Sequence, residues 1–176
     1  MLAIFALLLA AAPAEAPVDS VSSALARGLA AEKAGDARAM LDAARRLDAL
    51  GARPGEAQAD LAARWRLAAA RRGVKDGSPY RGRALGPAYR SGRLAPGAAL
   101  ATEQVFLAGQ KAFLALVPEP GRTLSMRVAD QDKPICERKA VSPRTTCIWL
   151  PVFTSRVQIR IGNPGRAAAA YYLVSN

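Results

Sequence analysis

Residues 123–161 read TLSMRVADQDKPICERKAVSPRTTCIWLPVFTSRVQIRI, and their alternation decides the fold. Leu124, Met126 and Val128 fall on one side of a period-2 pattern, with Ser125, Arg127 and Ala129 on the other, as in a half-buried strand. Asp130 to Pro134 is polar and ends in a residue that cannot donate to a ladder, so it reads as the turn before a strand over Ile135 to Val141. Ser142-Pro143-Arg144 turns again and TTCIWLP runs back. In SRVQIRIG, Val157, Ile159 and Ile161 face a core that also takes Trp149, while Arg156, Gln158 and Arg160 face outward. The stretch holds both cysteines, and an antiparallel sheet stapled by a disulfide is the expectation.

The pattern extends both ways. Upstream lie a strand around Leu100 to Leu107, a turn at Ala108-Gly109-Gln110, and an unbroken apolar strand from Ala112 to Val117 that calls for burial on both faces or a central position. Pro118 to Gly121 turns the chain into the quoted stretch. Downstream, Asn163-Pro164-Gly165-Arg166 supplies turn residues before the apolar run around Tyr171 to Val174. Six or seven short strands with turns at short intervals point to an antiparallel β-sandwich.

The first part of the chain has a different period. Val18, Val21, Leu25 and Leu29 recur at helical spacing after Asp19 and Ser20, which suit a helix cap. Gly35-Asp36 breaks the run. Met40, Leu41, Ala44, Leu47 and Leu50 form a second stripe, closed by Gly51 to Gly55. A third segment puts Leu61, Trp65 and Ala68 on one face. The fold class expected is therefore α+β: a helical hairpin or three-helix cap over 15–73, then a jelly-roll-like sandwich over 93–176. Residues 74–92, rich in Gly, Pro, Tyr and Arg, are either a linker or the lead-in to the sheet.

The opening residues MLAIFALLLAAAPA carry no charged side chain and match the apolar region of a secretory signal, too short for a membrane span. Cleavage after Ala14 leaves Glu15 first, whereas cleavage after Ala16 would place Pro17 beside the cut. Without Lys or Arg near the amino terminus, an uncleaved anchor is the alternative. Export makes a disulfide the simplest reading of Cys136 and Cys147; with no histidine and no further cysteine, a zinc shell lacks ligands. The expected location is periplasmic or secreted, with no stable membrane span after processing.

A formal charge of +11 suits an anionic partner, although an arginine-rich, Ala/Gly/Pro-biased composition produces the same balance without binding anything. Scattered arginines in an exported chain do not make the concentrated footprint that nucleic acid requires. The binding candidates are Arg81, Arg83, Arg90 and Arg93, interleaved with Tyr80 and Tyr89, and the outward row Arg156, Gln158 and Arg160. Absence of histidine excludes Ser-His-Asp and Cys-His catalysis. Glu103, Glu119, Asp130, Asp132 and Glu137 are the acids left for a carboxylate-dependent hydrolase, but most fall in turns, where solvation is their ordinary role. No enzyme and no cofactor are expected.

The segment Gly92-Arg93-Leu94-Ala95-Pro96-Gly97, the strand-turn-strand through Ala108-Gly109-Gln110, the turn at Asp130 to Pro134, and the ending with Asn163, Gly165, Arg166, Tyr172 and Leu173 together resemble the bacterial pre-peptidase C-terminal domain. The resemblance covers about residues 84–176 and not the helices. It implies a jelly-roll-like, non-catalytic module of exported proteins, associated with secretion, processing, or collagen or polysaccharide binding. Where that family often has an acidic Leu-Asp-Leu strand, this chain has Leu124, Ser125 and Met126, so no calcium site is expected. The functional expectation is an exported binding module for an anionic envelope polymer or a secreted protein. The alternative is a helical adaptor docking a partner protein, with Trp65 as its one available aromatic.

Overall fold

Three helices come first, and glycine and aspartate set their limits. In the computed structural model, which describes residues 17–77, 86–139 and 143–176, α1 spans Pro17–Ala34, α2 Ala37–Ala49 and α3 Leu61–Arg71. The expected signal segment, Arg81 and Arg83 lie outside the described residues. Gly35 ends α1 at φ +72°, a left-handed conformation with little steric cost for glycine. Asp36 and Asp60 then cap α2 and α3, their carboxylates accepting from the amides of Ala39 at 3.0 Å and Ala63 at 3.1 Å. Asp19 and Ser20, expected as caps, are instead inside α1. The helix already runs at Pro17, a residue suited to a first helical turn, and Ser20 is buried.

Among the described residues nine strands form two sheets. The five-stranded sheet has the order β1-β2-β9-β4-β7, from β1 (Arg53–Pro54), β2 (Ala88–Leu94), β9 (Ala169–Ser175), β4 (Ala112–Pro118) and β7 (Thr145–Trp149). The four-stranded sheet has the order β3-β8-β5-β6, from β3 (Ala99–Phe106), β8 (Ser155–Gly162), β5 (Ser125–Asp130) and β6 (Lys133–Lys139). All pairings are antiparallel except the short β1–β2 contact. Helices followed by mainly antiparallel strands is the expected α+β order.

Three local expectations are corrected. The Gly51–Gly55 loop does more than close α2, because the Gly55 amide donates to the Tyr89 carbonyl at 2.7 Å and so lays β1 along β2. The boundary placed at 92/93 falls inside β2, so Arg90 and Arg93 belong to a strand. Pro134, expected in the turn before β6, is in the strand itself. It is tolerated there because β6 is an edge strand, at the register shift between Val128 and Ala129.

β4 is buried at every residue, and its alternation explains how. Phe113, Ala115 and Val117 enter a core with Val21, Leu25, Met40, Leu47 and Trp65 from the helices. Ala112, Leu114 and Leu116 enter a second core with Met126, Val128, Val157, Ile159 and Ile161 from the four-stranded sheet. The five-stranded sheet is thus covered on both faces. Polar groups stitch the helices to it. The Leu61 amide donates to the Tyr89 hydroxyl at 3.0 Å, and Lys33 donates to the Pro120 carbonyl at 3.1 Å.

Within the helical core the Trp65 ring lies directly against Gly28 of α1, in the space a β-carbon would occupy. Gly28→Val should force the ring or the helix to shift and lower stability by about 1–3 kcal/mol. Urea unfolding followed by circular dichroism checks this, and a Gly28→Val protein as stable as wild type would show that the close contact is unimportant.

Candidate functional site

Outward residues of the four-stranded sheet form an exposed face. Alternation along β8 buries Val157, Ile159 and Ile161 and leaves Arg156, Gln158 and Arg160 exposed, as the sequence implied. Pairing then adds a residue that periodicity alone did not single out for binding. Arg127 of β5 is the direct cross-strand partner of Arg160, so two guanidinium-bearing residues sit opposite each other on one face. Like charges in that position repel. Glu137 pairs with Arg127 across the other edge of β5, yet among the described residues neither Arg127 nor Arg160 makes an ion pair. Both border a shallow recess of about 220 Å3 with Ser125, Glu137 and Gly162. Arg156 pairs at 3.4 Å with exposed Glu103, an interaction of little energetic weight at the surface. On the β3 side the row is faced by Ala101, Glu103 and Val105.

The other candidates are elsewhere. Arg93 lies on the opposite side of the fold, in a cleft of about 400 Å3 between helices and sheet that also takes Glu32, Lys33, Arg64 and Tyr172. Charges there are largely matched. Arg64 donates to Glu32 at 2.6 Å and the Trp65 indole donates to the same oxygen at 3.1 Å. Burial pushes the Tyr172 hydroxyl above its ordinary pKa, while Arg64 acts in the opposite sense. Arg90 is exposed on β2, and no described contact joins it to Arg156, Gln158 or Arg160. The structure therefore separates the two arginine sets that the sequence offered together.

Trp65 is fully buried and is a core residue, so it is not available to line an adaptor groove. Asp76, the acid of the basic lead-in, accepts from Arg45 at 3.1 Å and Arg66 at 2.8 Å. Arg66, which also pairs with Asp48, has its pKa moved by opposing effects: burial lowers it, and the two carboxylates more than offset that. This network ties the lead-in to the helices.

The acids considered for hydrolysis are scattered. Glu119 accepts from the Ala170 amide at 3.3 Å, Glu103 faces Arg156, and Asp130 and Asp132 flank the β5–β6 turn. Among the described residues no three His, Cys, Asp or Glu side chains are placed to hold a metal ion. No described helix is long and apolar enough to cross a membrane.

Asn163 is a connector missed as such by sequence reasoning, which took it only as a turn residue. Buried, it donates to the carbonyls of Leu94 and Ala95 at 3.1 Å and of Ala167 at 2.9 Å, and accepts from the Gly165 amide at 3.0 Å. Two of the segments that carry the family resemblance, 92–97 and 163–166, thus meet.

Cys136 and Cys147 are bonded, but not between neighbouring strands of one sheet. β6 is an edge of the four-stranded sheet and β7 an edge of the five-stranded sheet, so the bond joins the two sheets on one side. Trp149, expected in the core, is partly covered and packs edge-on against Phe106 at 4.7 Å.

No family model and no characterised protein matches the chain by sequence. Among solved structures, a de novo designed double-stranded β-helix is similar at 8% identity and a TM-score of 0.34, over 50% of this chain and 97% of its own. The Aeromonas hydrophila protein PliG, a periplasmic lysozyme inhibitor of g-type lysozyme, is similar at 12% identity and a TM-score of 0.36, over 51% of this chain and 86% of its own. Both likenesses are slight, and neither bears on what this chain does.

Replacing both cysteines by serine should lower stability by about 3 kcal/mol through lost loop-closure restraint. The check is a urea midpoint measured with and without reductant. Reductant should move the wild-type midpoint and leave the Cys136→Ser/Cys147→Ser protein unmoved.

Proposed function

We propose that this chain is an exported, non-catalytic binding protein whose four-stranded sheet presents Arg127, Arg156 and Arg160 to an anionic polymer of the cell envelope. The observation that carries the reading is the Arg127–Arg160 cross-strand pair, two like charges held opposite each other that form no ion pair among the described residues, with Glu137 on the other side of Arg127 as the one neighbouring carboxylate of the recess. A bound carboxylate, sulfate or phosphate would relieve their repulsion and accept charge-assisted hydrogen bonds from both. The exposed row along β8 suits an extended polymer better than a small molecule. The disulfide and the apolar opening residues support export. The resemblance to the pre-peptidase C-terminal domain supports a jelly-roll-like sandwich in an accessory binding role, and the lack of histidine supports the absence of catalysis.

The test is retention on an immobilised sulfated polysaccharide such as heparin. Charge-assisted contacts contribute about 1.5 kcal/mol each, so Arg127→Glu/Arg160→Glu should weaken binding by about tenfold or more and elute at lower salt. Arg38→Glu/Arg46→Glu, on the exposed face of α2, makes the same change in net charge and should have a smaller effect. Equal losses from both variants would show that overall charge, and not this face, governs retention. Unchanged retention of the β5/β8 variant would overturn the proposal.

A further inference from the structure

The end of the strands beyond β3 and β7 carries an apolar surface that the arginine face does not explain. Residues 107–111, joining β3 to β4, and residues 150–154, joining β7 to β8, lie side by side. The Gly109 amide donates to the Pro151 carbonyl at 2.9 Å, and the Ala108 amide donates to the Thr154 hydroxyl at 3.0 Å. Phe106 and Trp149 pack together beneath them. On this braced base, Leu107 and Leu150 are more than half exposed and Val152 and Phe153 are each 78% exposed. Connecting loops are ordinarily polar, and a contiguous apolar tip in water carries a hydration cost that an interaction would remove.

Charge and shape both bear on the occupant. Neither loop contains an acidic residue. Two basic residues adjoin the tip: Lys111, over the Phe113 ring at 5.4 Å, ends one loop, and Arg156, the cross-strand partner of Val105 and held, among the described residues, only by the exposed Glu103 pair at 3.4 Å, follows the other. The apolar side chains are on connecting loops. An exposed apolar tip with a basic residue at the edge of each loop is complementary to an anionic phospholipid surface, where large apolar side chains enter the acyl boundary and basic groups meet the headgroups. We infer that these two loops dock the protein peripherally on anionic lipid, with Val152 and Phe153 inserted. The inference shares Arg156 with the polymer proposal, but its apolar anchors, Val152 and Phe153, lie outside the Arg127–Arg160 pair on which that proposal rests.

The test is co-sedimentation with phosphatidylcholine vesicles made with and without phosphatidylglycerol. Wild type should bind the anionic vesicles and be partly released by salt. Val152→Asp/Phe153→Asp should bind about tenfold or more weakly, since two large apolar side chains are lost from the interface and two anions added. Both positions are exposed, so thermal unfolding should match wild type, and a variant that does not fold is replaced by Val152→Ser/Phe153→Ser. In Phe153→Trp/Trp149→Phe, tryptophan emission should shift to the blue on anionic vesicles and be quenched by brominated acyl chains. Equal vesicle binding by wild type and the aspartate variant, absence of wild-type binding, or unquenched emission would overturn the inference. A lipid-free wild-type dimer that the aspartate variant abolishes in sedimentation velocity would also overturn it, assigning the tip to a second copy of the chain.

Discussion

β4 must satisfy two cores at once, and the rest of the structure depends on that. Seven consecutive buried residues leave no solvent face, so each side chain has to be matched either by the helices or by the four-stranded sheet. Phe113, Ala115 and Val117 give the helices a surface to cover, and Leu114 and Leu116 give the other sheet one. Fully burying a side chain of this size is worth about 1.5–3 kcal/mol. Removing either partner layer would therefore expose several such groups together. The helical segment is for this reason part of the folding unit, whatever its own helix propensity.

Polar chemistry confines the layers to one arrangement. Helix α3 docks with its first amide on the Tyr89 hydroxyl and α1 reaches the Pro120 carbonyl through Lys33, while Glu32 holds both Arg64 and the Trp65 indole and so ties α1 to α3; these groups would be left unmatched if the helical layer slid. At the opposite side of the five-stranded sheet the Cys136–Cys147 bond ties two edge strands together, and Asn163 pins two connections at one end. Away from these restraints lie the outward face of β8 and β5 and the tip formed by residues 107–111 and 150–154, both exposed. One is polar and cationic, the other apolar with a basic residue at the edge of each loop.

Much of the strand pattern was legible because alternation is local. Leu124, Met126 and Val128, like Val157, Ile159 and Ile161, are buried as their period requires, and the continuous run at Ala112 to Val117 announced a strand covered on both sides. What alternation cannot carry is pairing. The two cysteines sit on strands consecutive in sequence, yet those strands belong to different sheets. Arg127 and Arg160 are distant in sequence and become opposed only through the β5–β8 register, so the most informative part of the candidate face was invisible. Arg93, near Arg90 in sequence, goes to a separate cleft because β2 sends alternate side chains to opposite faces. The strand read through TTCIWLP stops two residues earlier, at Trp149, which frees Leu150 and Pro151 for the loop. Trp65 had a helical period compatible with either groove or core, and only tertiary packing against Gly28 decided it.

The claim most in need of measurement is that the helices and both sheets are one cooperative unit hinged on β4. Native-state hydrogen exchange of the unmodified protein, read by mass spectrometry at increasing urea, resolves the layers individually. If β4 couples them, amides of α1 and α2 should merge with those of β4 and β8 onto one unfolding isotherm of common free energy and urea dependence. Helical amides that open at lower free energy while β4 and β8 stay protected would contradict the account, reducing the helices to an appendage on an independently stable pair of sheets.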